Sequence, residues 1–373
     1  MHTRPLAVFV ASLAQGGVGK MRTHLINRFS ELGHRVDLLL GDPRSPYMDR
    51  LHPNVRVIDL GTSNAITGVP ALARYLWREK PEVLLTQRIR VNVLALRARN
   101  LIRSDVRIYV TSNTNITSQL ESMRPDKRAK QTKLLRKYYP QNDAIMAVSR
   151  GVADDTAAII GIPGDAIKVI HNPVITAELE QLAATPPDHP WFRDGEIPVL
   201  LGVGRLEPQK DFPNLIRAFA RVRAQQPCRL MILGEGALRS ELQGLADSLG
   251  VGGDLAMPGF VKNPYQYMRA ASLFVLSSRW EGSPNGLTEA LAVGTPVVAT
   301  NCPDGPIEIL QQGRLGPLVP MSDDQALAEA ILQTLANPHP AEFLRAGVSR
   351  YSVENSAREY LAAMGLPETP QGS

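Results

Sequence analysis

Short apolar runs alternate with amphipathic stretches along the first half of the chain. The apolar runs are LAVFVAS, RVDLLLG, VRVIDLG, EVLLTQ, RIYVTS and AIMAVS. The stretches between them, such as GVPALARYLWREK and NVLALRARNLIR, repeat their apolar residues at the helical period. Strands that are apolar throughout are typical of parallel sheets covered by helices on both faces. The first half therefore predicts a parallel sheet wrapped by helices.

The pattern stops at a proline-rich stretch, ATPPDHPWFRDGEIP, at residues 184–198, and then restarts. Later strands are predicted at VLLGVGR, CRLMILGEG, DLAMPG, SLFVLSS, TPVVAT and GPLVP, with helices between most of them. The last helical segment, ENSAREYLAAMG, is expected to pack back on the first unit. The prediction is an α/β fold of two tandem Rossmann-like domains, 1–175 and 176–349, with residues 350–373 returning to the first. Because ligands bind beyond the carboxyl ends of such strands, we expect the domains to face each other across a cleft.

Length and composition agree with two globular domains. A chain of 373 residues exceeds one ordinary core, since domains average about 150 residues. Its apolar runs all fall short of the roughly 18 residues of a membrane span, and the N-terminus lacks the layout of a signal peptide. The two cysteines, Cys228 and Cys302, have no CxxC or histidine neighbour that would indicate zinc. A cytoplasmic location is expected.

Charge is distributed unevenly between the two halves. Residues 1–175 carry 26 Lys and Arg against 14 Asp and Glu, whereas the remainder carries 15 against 22. The first half is therefore net positive by 12 and the second net negative by 7, although the whole chain is only +5. The two halves are expected to meet different partners.

The segment RPDKRAKQTKLLRKYYP, residues 124–140, concentrates the positive charge. It contains the adjacent Tyr138 and Tyr139, and its cations are Arg124, Lys127, Arg128, Lys130, Lys133, Arg136 and Lys137. One interpretation is a solvated helix face. The other is attraction to an anionic membrane surface, with the tyrosines at the interface, which would make the protein peripheral on the inner face of the membrane. Nucleic acid is not expected as a partner, because no recognised reading motif accompanies the patch.

A glycine-rich loop, LAQGGVGKMRTHL, follows the first predicted strand. The triphosphatase pattern G-x-x-x-x-G-K-[ST] would need glycine at Ala14 and Ser or Thr at Met21, and the dinucleotide pattern would need glycine at Arg22. Neither pattern is met. Gly16 and Gly17 still permit a sharp turn into a helix whose free N–H groups could face an anion or a sugar. The alternative is a tight turn that binds nothing.

The richest stretch for chemistry is SLFVLSSRWEGSPNGLTEALAVGTPVVATNCPDGPIEIL, residues 272–310. A strand leads into a loop carrying Glu281, and a helix is predicted to start near 284–286, with Glu289 one turn inside it. The unpaired backbone N–H groups of 283–287 would suit a phosphate or a sugar hydroxyl, and carboxylates accept hydrogen bonds from hydroxyls. The alternative is that the two acids lie on the surface and only stabilise the start of the helix.

This stretch resembles the signature of the retaining glycosyltransferases of the fourth sequence family, also called group 1, which have the two-domain GT-B fold. The signature E-G-x-P-N-x-x-x-E-A-x-A-x-G-x-P-V-V-A-T matches residues 281–300. GVGRLEPQKDFPNLIRAF resembles the family's next mark, with Arg205 and Lys210 at its basic positions, and LMILGEG resembles a third. AVSRGV and VIHNPV, with Asn172, resemble the end of the family's first domain.

The resemblance implies roles for individual residues. Arg205 and Lys210 would grip the donor diphosphate, Glu289 the nucleotide ribose, and Glu281 the donor sugar or its departing phosphate. Val261, in PGFVKN, would lie near the base, and Gly16 and Gly17 would face the donor phosphates and the acceptor. The remaining donor-binding residues would be Gly282, Ser283, Pro284, Asn285, Gly286 and Leu287. Two fixed cations and a helix start can hold the leaving diphosphate without a metal, so neither a metal nor a cofactor is expected.

In one respect the first domain departs from the family. Many members carry a histidine at the end of a first-domain strand, where this chain has Gln87 or Asn113. Retaining members are thought to pass the acceptor's proton to the donor phosphate, so no general base is assigned.

The prediction is a retaining hexosyl- or N-acetylhexosaminyltransferase of lipopolysaccharide or polysaccharide biosynthesis. It would use a nucleotide-diphosphate sugar, expected to be a UDP-sugar, and a glycan or lipid-linked glycan acceptor. The alternatives are a nucleotide-sugar-binding protein without catalysis and a transferase acting on a soluble small molecule.

Overall fold

The computed structural model describes residues 4–13, 16–45, 47–62, 64, 67–121, 123–193 and 197–370. The chain divides into two compact units. Unit 1 comprises Met1–Pro173 with Ser352–Ser373, and unit 2 comprises Val174–Tyr351. The sequence placed these boundaries two residues away, at 175/176 and 349/350.

Unit 1 is built on a parallel sheet, and its described strands run in the order β3-β2-β1-β4-β5-β6-β7. The strands are β1 Leu6–Val10, β2 Val36–Leu40, β3 Arg56–Asp59, β4 Val83–Gln87, β5 Arg107–Ser112, β6 Ala144–Ala147 and β7 Lys168–Val169. In β1, Val8 pairs with Leu38 on one side and with Leu85 on the other. The central strands are buried on both faces, which is why they read as continuous apolar runs.

Helices cover both faces of this sheet. They are α1 Gly17–Glu31, α2 Gly68–Glu79, α3 Ile89–Ile102, α4 Ile116–Glu121, α5 Pro125–Tyr138, α6 Arg150–Ile160 and the C-terminal α15 Val353–Ala363. Ala7 and Phe9 of β1 pack in one apolar core with residues of α2 to α6. Leu6, Val8 and Val10 point the other way and share a second core with residues of α1 and α15. The alternation of side chains along β1 thus assigns the helices to two layers.

Unit 2 repeats this architecture. Its described strands run in the order β10-β9-β8-β11-β12-β13, all parallel. The strands are β8 Val199–Val203, β9 Arg229–Leu233, β10 Leu255–Gly259, β11 Leu273–Leu276, β12 Val297–Thr300 and β13 Leu318–Val319. The helices are α7 Leu179–Ala184, α8 Phe212–Arg223, α9 Arg239–Ser248, α10 Pro264–Ala270, α11 Asn285–Ala292, α12 Pro306–Ile309, α13 Asp324–Ala336 and α14 Ala341–Gly347.

The predicted fold class of two Rossmann-like α/β domains is confirmed. Each predicted strand is present. Among the strands that the structure describes, the sequence missed only the short edge strand β7, whose two residues are too few to show an apolar run. Within the described ranges, no helix has the length and the hydropathy that crossing a bilayer requires.

The C-terminal helix α15 supplies part of unit 1's core. Its residues Ala357, Tyr360 and Leu361 are buried in the core shared with α1 and the sheet. The backbone carbonyl of Met364, just beyond α15, accepts hydrogen bonds from the side chains of Arg107 and Tyr109 in β5. The C-terminal end of α15 is thereby tied to the central sheet.

We expect Leu361→Ala to reduce the free energy of unfolding of unit 1 by about 2–5 kcal/mol, because it opens a cavity in that core. Urea denaturation followed by circular dichroism measures the change. Glu359→Ala, at an exposed position of the same helix, should change the same free energy by less than about 0.5 kcal/mol. Equal effects of the two substitutions would show that α15 does not stabilise unit 1.

Candidate functional site

In unit 2, the loops that follow β8 and β9 touch backbone to backbone. Gly204 N–H donates to the carbonyl of Leu233, and Leu206 N–H donates to that of Glu235. A Cβ on Gly234 would lie 1.9 Å from the Gly204 carbonyl oxygen, and one on Gly236 would lie 2.4 Å from that of Leu206. Only glycine fits at either position, and Gly234 also has φ +139°. The residues on both sides of Arg205, Gly204 and Leu206, are therefore fixed by these backbone contacts.

Lys210 ends the short 3₁₀ turn Pro208–Lys210 of this loop and is paired with Glu281. Its Nζ lies 2.5 Å from Glu281 Oε1, which also accepts a hydrogen bond from Ser278 Oγ at 2.7 Å. Glu281 is only 7% exposed. A Cβ on Gly204 would approach Lys210 Cε to 2.8 Å, so the glycine leaves room for the lysine stem. The ammonium group is held in one place by a buried carboxylate.

Arg205 has a contrasting environment. Its side chain is 68% exposed, and Nη1 lies 3.0 Å from Oε1 of Glu207, two residues along the same loop. An exposed pair of this kind contributes little to stability. The guanidinium is thus accessible to an anionic ligand that could replace Glu207.

A second ion pair joins this loop to the end of β11. Arg279 makes two hydrogen bonds to Asp211, of 2.9 and 3.1 Å, and Ser322 Oγ donates to the same carboxylate at 2.9 Å. The backbone of Arg279 also bonds to the carbonyl of Gln209 at 2.8 Å. Asp211 is buried and has φ +45°, an uncommon conformation for a residue other than glycine. These contacts bring the loop of Arg205 and Lys210 against the loop of Glu281.

The segment after Glu281 turns into α11 at Asn285, close to the predicted start. Pro284 is the N-cap residue, and no side chain caps this helix. A Cβ on Gly305 would come within 2.4 Å of Pro284 Cδ, so the neighbouring loop packs tightly against the turn. Gly282 and Pro284 are buried, whereas Ser283, Asn285 and Gly286 are partly exposed.

Leu287 does not fit the predicted role of donor-binding residue. Its amide donates to the Pro284 carbonyl at 3.1 Å, and its side chain is fully buried in unit 2. Because the first turn closes with this tight bond, the amide is used within the helix start. The interpretation of 283–287 as a continuous row of unpaired donors is wrong at this position.

Glu289 lies on α11 and is 6% exposed. Its Oε1 accepts a hydrogen bond from the buried hydroxyl of Tyr265 on α10, at 3.4 Å. Burial of both Glu281 and Glu289 rules out the alternative that they are surface acids at a helix start. Val261 is partly buried in the loop between β10 and α10, next to the exposed ring of Phe260.

Cys302 lies close enough to Glu281 for the two groups to interact. Burial, followed by the negative charge of Glu281, raises the pKa of the Cys302 thiol to about 12, and Lys210 opposes this shift. A thiol with this pKa stays protonated at neutral pH, so Cys302 is not a nucleophile.

In unit 1, the glycine loop makes the sharp turn that its sequence indicated. Gly16 is the N-cap of α1 with φ +121°, and Gly17 is the first helical residue. A Cβ on Gly16 would meet nothing within 4 Å, so its conformation rather than lack of space requires glycine. Tyr47 OH hydrogen-bonds to the backbone of Gly16. Ala14 lies outside the described residues.

Gln87 and Asn113 are the two residues that could stand where many family members have a histidine. Gln87 is the last residue of β4. Its Oε1 accepts a hydrogen bond from Nε of the buried Arg22, at 2.8 Å. Asn113 follows β5, and its side-chain oxygen is buried without a partner among the described residues. Both are amides, which are not bases at neutral pH.

The basic segment forms α5, and all seven of its cations are exposed. Of the two adjacent tyrosines, Tyr139 is 1% exposed and accepts a hydrogen bond from Asn92 at 2.8 Å. It belongs to the core of unit 1, so the expectation that both tyrosines lie at an interface is wrong for Tyr139.

Among the described residues, no group of three or more His, Cys, Asp or Glu is arranged to hold a metal ion.

Several residues of these sites were not predicted. Asp211 pairs with Arg279, 68 residues away in the chain, and no local pattern shows this contact. Ser278 donates to Glu281, three residues further on, through a side-chain hydrogen bond that the sequence pattern does not indicate. Arg22 is a third such residue, since in the sequence it stands out only as the position where the dinucleotide pattern would need glycine. Its position was informative, because it precedes Leu25, Ile26 and Phe29 on the apolar face of α1.

Two family models together match most of the chain. "Glycosyl transferases group 1" matches residues 189–350, and "Glycosyltransferase Family 4" matches residues 15–178. An N-acetylgalactosamine-N,N'-diacetylbacillosaminyl-diphospho-undecaprenol 4-alpha-N-acetylgalactosaminyltransferase of Campylobacter jejuni is 31% identical over 52% of this chain and 51% of its own length. The lipopolysaccharide core biosynthesis glycosyltransferase LpsE of Rhizobium meliloti is 32% identical over 54% and 56%. The chain thus spans about half the length of these curated relatives.

Solved structures show the same fold over nearly the whole chain. The lipopolysaccharide outer core galactosyltransferase WaaB has a TM-score of 0.74 at 18% identity, covering 97% of this chain and 99% of its own. Anabaena HepE in complex with UDP-glucose has a TM-score of 0.77 at 16% identity, with the same two coverages. At these identities the likeness concerns the fold alone.

We expect Lys210→Met to lower the free energy of unfolding by about 3–5 kcal/mol, because it leaves Glu281 buried and unpaired. The double variant Lys210→Met/Glu281→Gln should recover most of that loss. Arg205→Met, which breaks an exposed pair in the same loop, should cost less than about 1 kcal/mol. Urea denaturation measures all three, and a double variant no more stable than Lys210→Met would contradict the buried pair.

Proposed function

Because the chain belongs to the group 1 glycosyltransferases, we propose that it is a retaining glycosyltransferase. It moves a sugar from a nucleotide-diphosphate donor, a UDP-sugar, to a glycan or lipid-linked glycan acceptor. The observation that carries the proposal is the loop of unit 2 in which Lys210 is fixed against Glu281 while Arg205 is exposed five residues earlier.

This loop suits the departure of a nucleoside diphosphate. When the anomeric C–O bond breaks, negative charge builds on the leaving phosphate, and a preorganised cation stabilises it without reorganising. Lys210 is preorganised because it is paired with Glu281, whose carboxylate also accepts a hydrogen bond from Ser278. Arg205 can exchange Glu207 for the diphosphate, which its planar fork binds with two hydrogen bonds.

The two acids have separate roles in the proposal. Glu281 positions Lys210 and meets the donor sugar or its departing phosphate, and Glu289 accepts from a ribose hydroxyl. The partly exposed turn Ser283–Gly286 presents the start of α11 to the donor. With an amide at Gln87, the donor phosphate itself takes the acceptor's proton.

The relatives support the substrate classes. The Campylobacter relative is named for an undecaprenol-linked acceptor, and the Rhizobium relative for lipopolysaccharide core synthesis. HepE has been solved with UDP and with UDP-glucose. These names support a UDP-sugar donor and an acceptor of surface-polysaccharide assembly.

A second candidate is a nucleotide-sugar-binding protein without catalysis, favoured by Gln87 in place of a histidine. A transferase that acts on a soluble small molecule is the other alternative. Incubation with a panel of UDP-sugars, with and without a lipid extract, followed by mass spectrometry of the products, separates the three. Donor binding without any product would support the binding protein, and a product formed only from the lipid fraction would support the transferase proposed here.

We expect Arg205→Ala to reduce kcat/KM by about 10²-fold, since it removes one electrostatic donor to the leaving group. Its melting temperature should stay within 1–2 °C of the wild type, which corresponds to about 0.5 kcal/mol or less at this exposed position. Arg217→Ala, at an exposed position of α8, is the matched control and should keep full activity. Normal turnover by Arg205→Ala would remove this residue from the site.

We further propose that unit 1 docks on an anionic membrane surface through α5. The six cations of α5 and its N-cap residue Arg124 are all exposed, and each cation contributes roughly 1 kcal/mol near such a surface. Trp77 on α2 and Leu101 on α3 are also exposed, and these two helices pack in the same apolar core as α5. Exposed apolar side chains in the same layer as the basic helix suit insertion beside lipid headgroups.

Vesicles containing phosphatidylserine should bind the wild-type chain and shift its tryptophan emission to the blue, and phosphatidylcholine vesicles should do neither. Binding should fall at least tenfold when four cations of α5 are neutralised, in Lys127→Gln/Arg128→Gln/Lys133→Gln/Lys137→Gln. The matched control neutralises four exposed arginines elsewhere in unit 1, in Arg35→Gln/Arg44→Gln/Arg50→Gln/Arg358→Gln. Equal losses in the two quadruple variants would mean that α5 is an ordinary solvated face.

A further inference from the structure

A small cavity lies in unit 1, where β1 and β4 end and α1 begins. Its lining includes Ser12 after β1, Val18 and Gly19 in the first turn of α1, and Gln87 and Arg88 at the end of β4. Arg22, one turn further along α1, lines it as well. All of these lining residues belong to unit 1, whereas the cations Arg205 and Lys210 belong to unit 2.

Arg22 is buried without a carboxylate partner among the described residues. It is 5% exposed, its Nε donates to Gln87 Oε1 at 2.8 Å, and its Nη2 donates to Thr111 Oγ1 at 3.1 Å. Its third nitrogen, Nη1, is buried and has no hydrogen-bond partner in the part of the chain that the structure describes. Both of its partners are neutral, so the positive charge of Arg22 is not compensated.

A buried and uncompensated cation is costly for a folded protein. Burial lowers the pKa of the Arg22 guanidinium, although guanidinium groups remain charged at neutral pH. By contrast, the partly buried Lys210 of unit 2 is paired with a buried acid. An anionic ligand would supply at Arg22 the charge that the chain itself does not provide.

The other groups around the cavity also favour an anion. Arg88, the N-cap residue of α3, is a second arginine in the lining. The first turns of α1 and α3 contain no acidic residue. Both helices are long, at 15 and 14 residues, and their N-terminal dipole ends add positive potential. The lining of the cavity includes two cations and no acid.

We propose that this cavity is an oxyanion-binding site in which Arg22 holds a phosphate or carboxylate group of a substrate. The binding site itself follows from the buried guanidinium and the two helix starts. The identity of the ligand rests on the proposed function, in which the oxyanion comes either from the donor diphosphate or from an acidic group of the acceptor.

A purely structural role for Arg22 makes the opposite prediction for stability. If Arg22 served only to tie Gln87 to Thr111, then its replacement would destabilise the chain and leave anion binding unchanged. If it is a binding residue, Arg22→Met removes an uncompensated charge, so the free protein should melt at the same temperature or higher. The response to an anion should then be lost.

The experiment measures the melting temperature of the full chain against inorganic phosphate, with chloride adjusted to keep the ionic strength constant. A ligand that binds the folded state raises this temperature as its concentration passes the Kd. We expect a phosphate-dependent rise in the wild type and at least a tenfold weaker affinity in Arg22→Met. Arg97→Met, at an exposed position of α3, is the matched control and should respond like the wild type.

Arg22→Lys keeps the charge but not the planar fork, so its phosphate affinity should fall between those of the wild type and Arg22→Met. It provides the same titration if Arg22→Met does not fold. No phosphate response in the wild type, or wild-type affinity in every folded Arg22 variant, would overturn the proposal.

Three further ligands identify the source of the oxyanion: UDP, glycerol phosphate and methyl glucuronide. Loss of UDP affinity in the Arg22 variants indicates the donor diphosphate. Loss of affinity for either of the other two indicates an acidic acceptor, and unchanged affinity for all three overturns the proposed site. Phosphate binding by a wild-type chain that forms no glycoside would contradict the proposed transferase and leave the anion site standing.

Discussion

In unit 2, Gly234 lies directly against the carbonyl of Gly204, and this backbone contact sets the geometry of the donor-side loop. Because both faces of the sheet are buried under helices, polar side chains are concentrated at the carboxyl ends of the strands. The contact fixes Gly204 and Leu206, which flank Arg205. Gly204 also makes the space in which the stem of Lys210 reaches Glu281. A side chain at this contact would therefore disturb both cations together.

The two units handle buried charge in different ways. In unit 2, Lys210 is matched by Glu281 and Arg279 by Asp211, so the free loop is close to neutral. A diphosphate that binds this loop must compete with Glu281 and Asp211 for the cations. This competition weakens its binding and favours its release after the anomeric C–O bond has broken. In unit 1, Arg22 has only amide and hydroxyl partners among the described residues. An anion that binds Arg22 would not have to displace an acid from it. Such a site favours tight positioning of the anion rather than its release.

The sequence predicts the fold well because a strand buried on both faces must be apolar throughout, and such runs are visible without knowledge of tertiary contacts. It also places Glu281 and Glu289 at the start of α11, since their spacing is local. Leu287 was misassigned because its amide is used in a tight first turn that depends on the conformation of Pro284. Tyr139 was misassigned because burial of an aromatic residue after a basic helix depends on Asn92, which is distant in the chain. Arg22 lay on the apolar face of its helix, and a cation at a core position was the available signal.

Net charge alone would place an anionic donor in unit 1, whereas the proposed donor site lies in unit 2. Unit 1 contains most of the net positive charge, whereas the residues that resemble donor ligands lie in the acidic half. At physiological salt, however, charges are screened beyond about 8 Å, so a bound diphosphate responds to the few groups in contact with it. In the proposed function, Arg205, Lys210 and the start of α11 are these groups, and the acids Glu207 and Glu281 pair with the two cations. The excess cations of unit 1 act over an extended surface, where many weak attractions add up, and this suits a membrane carrying anionic lipids. Binding a small ligand needs a few cations in contact with it, whereas binding a large surface needs many cations spread over an area, and the two proposals place these requirements in different units.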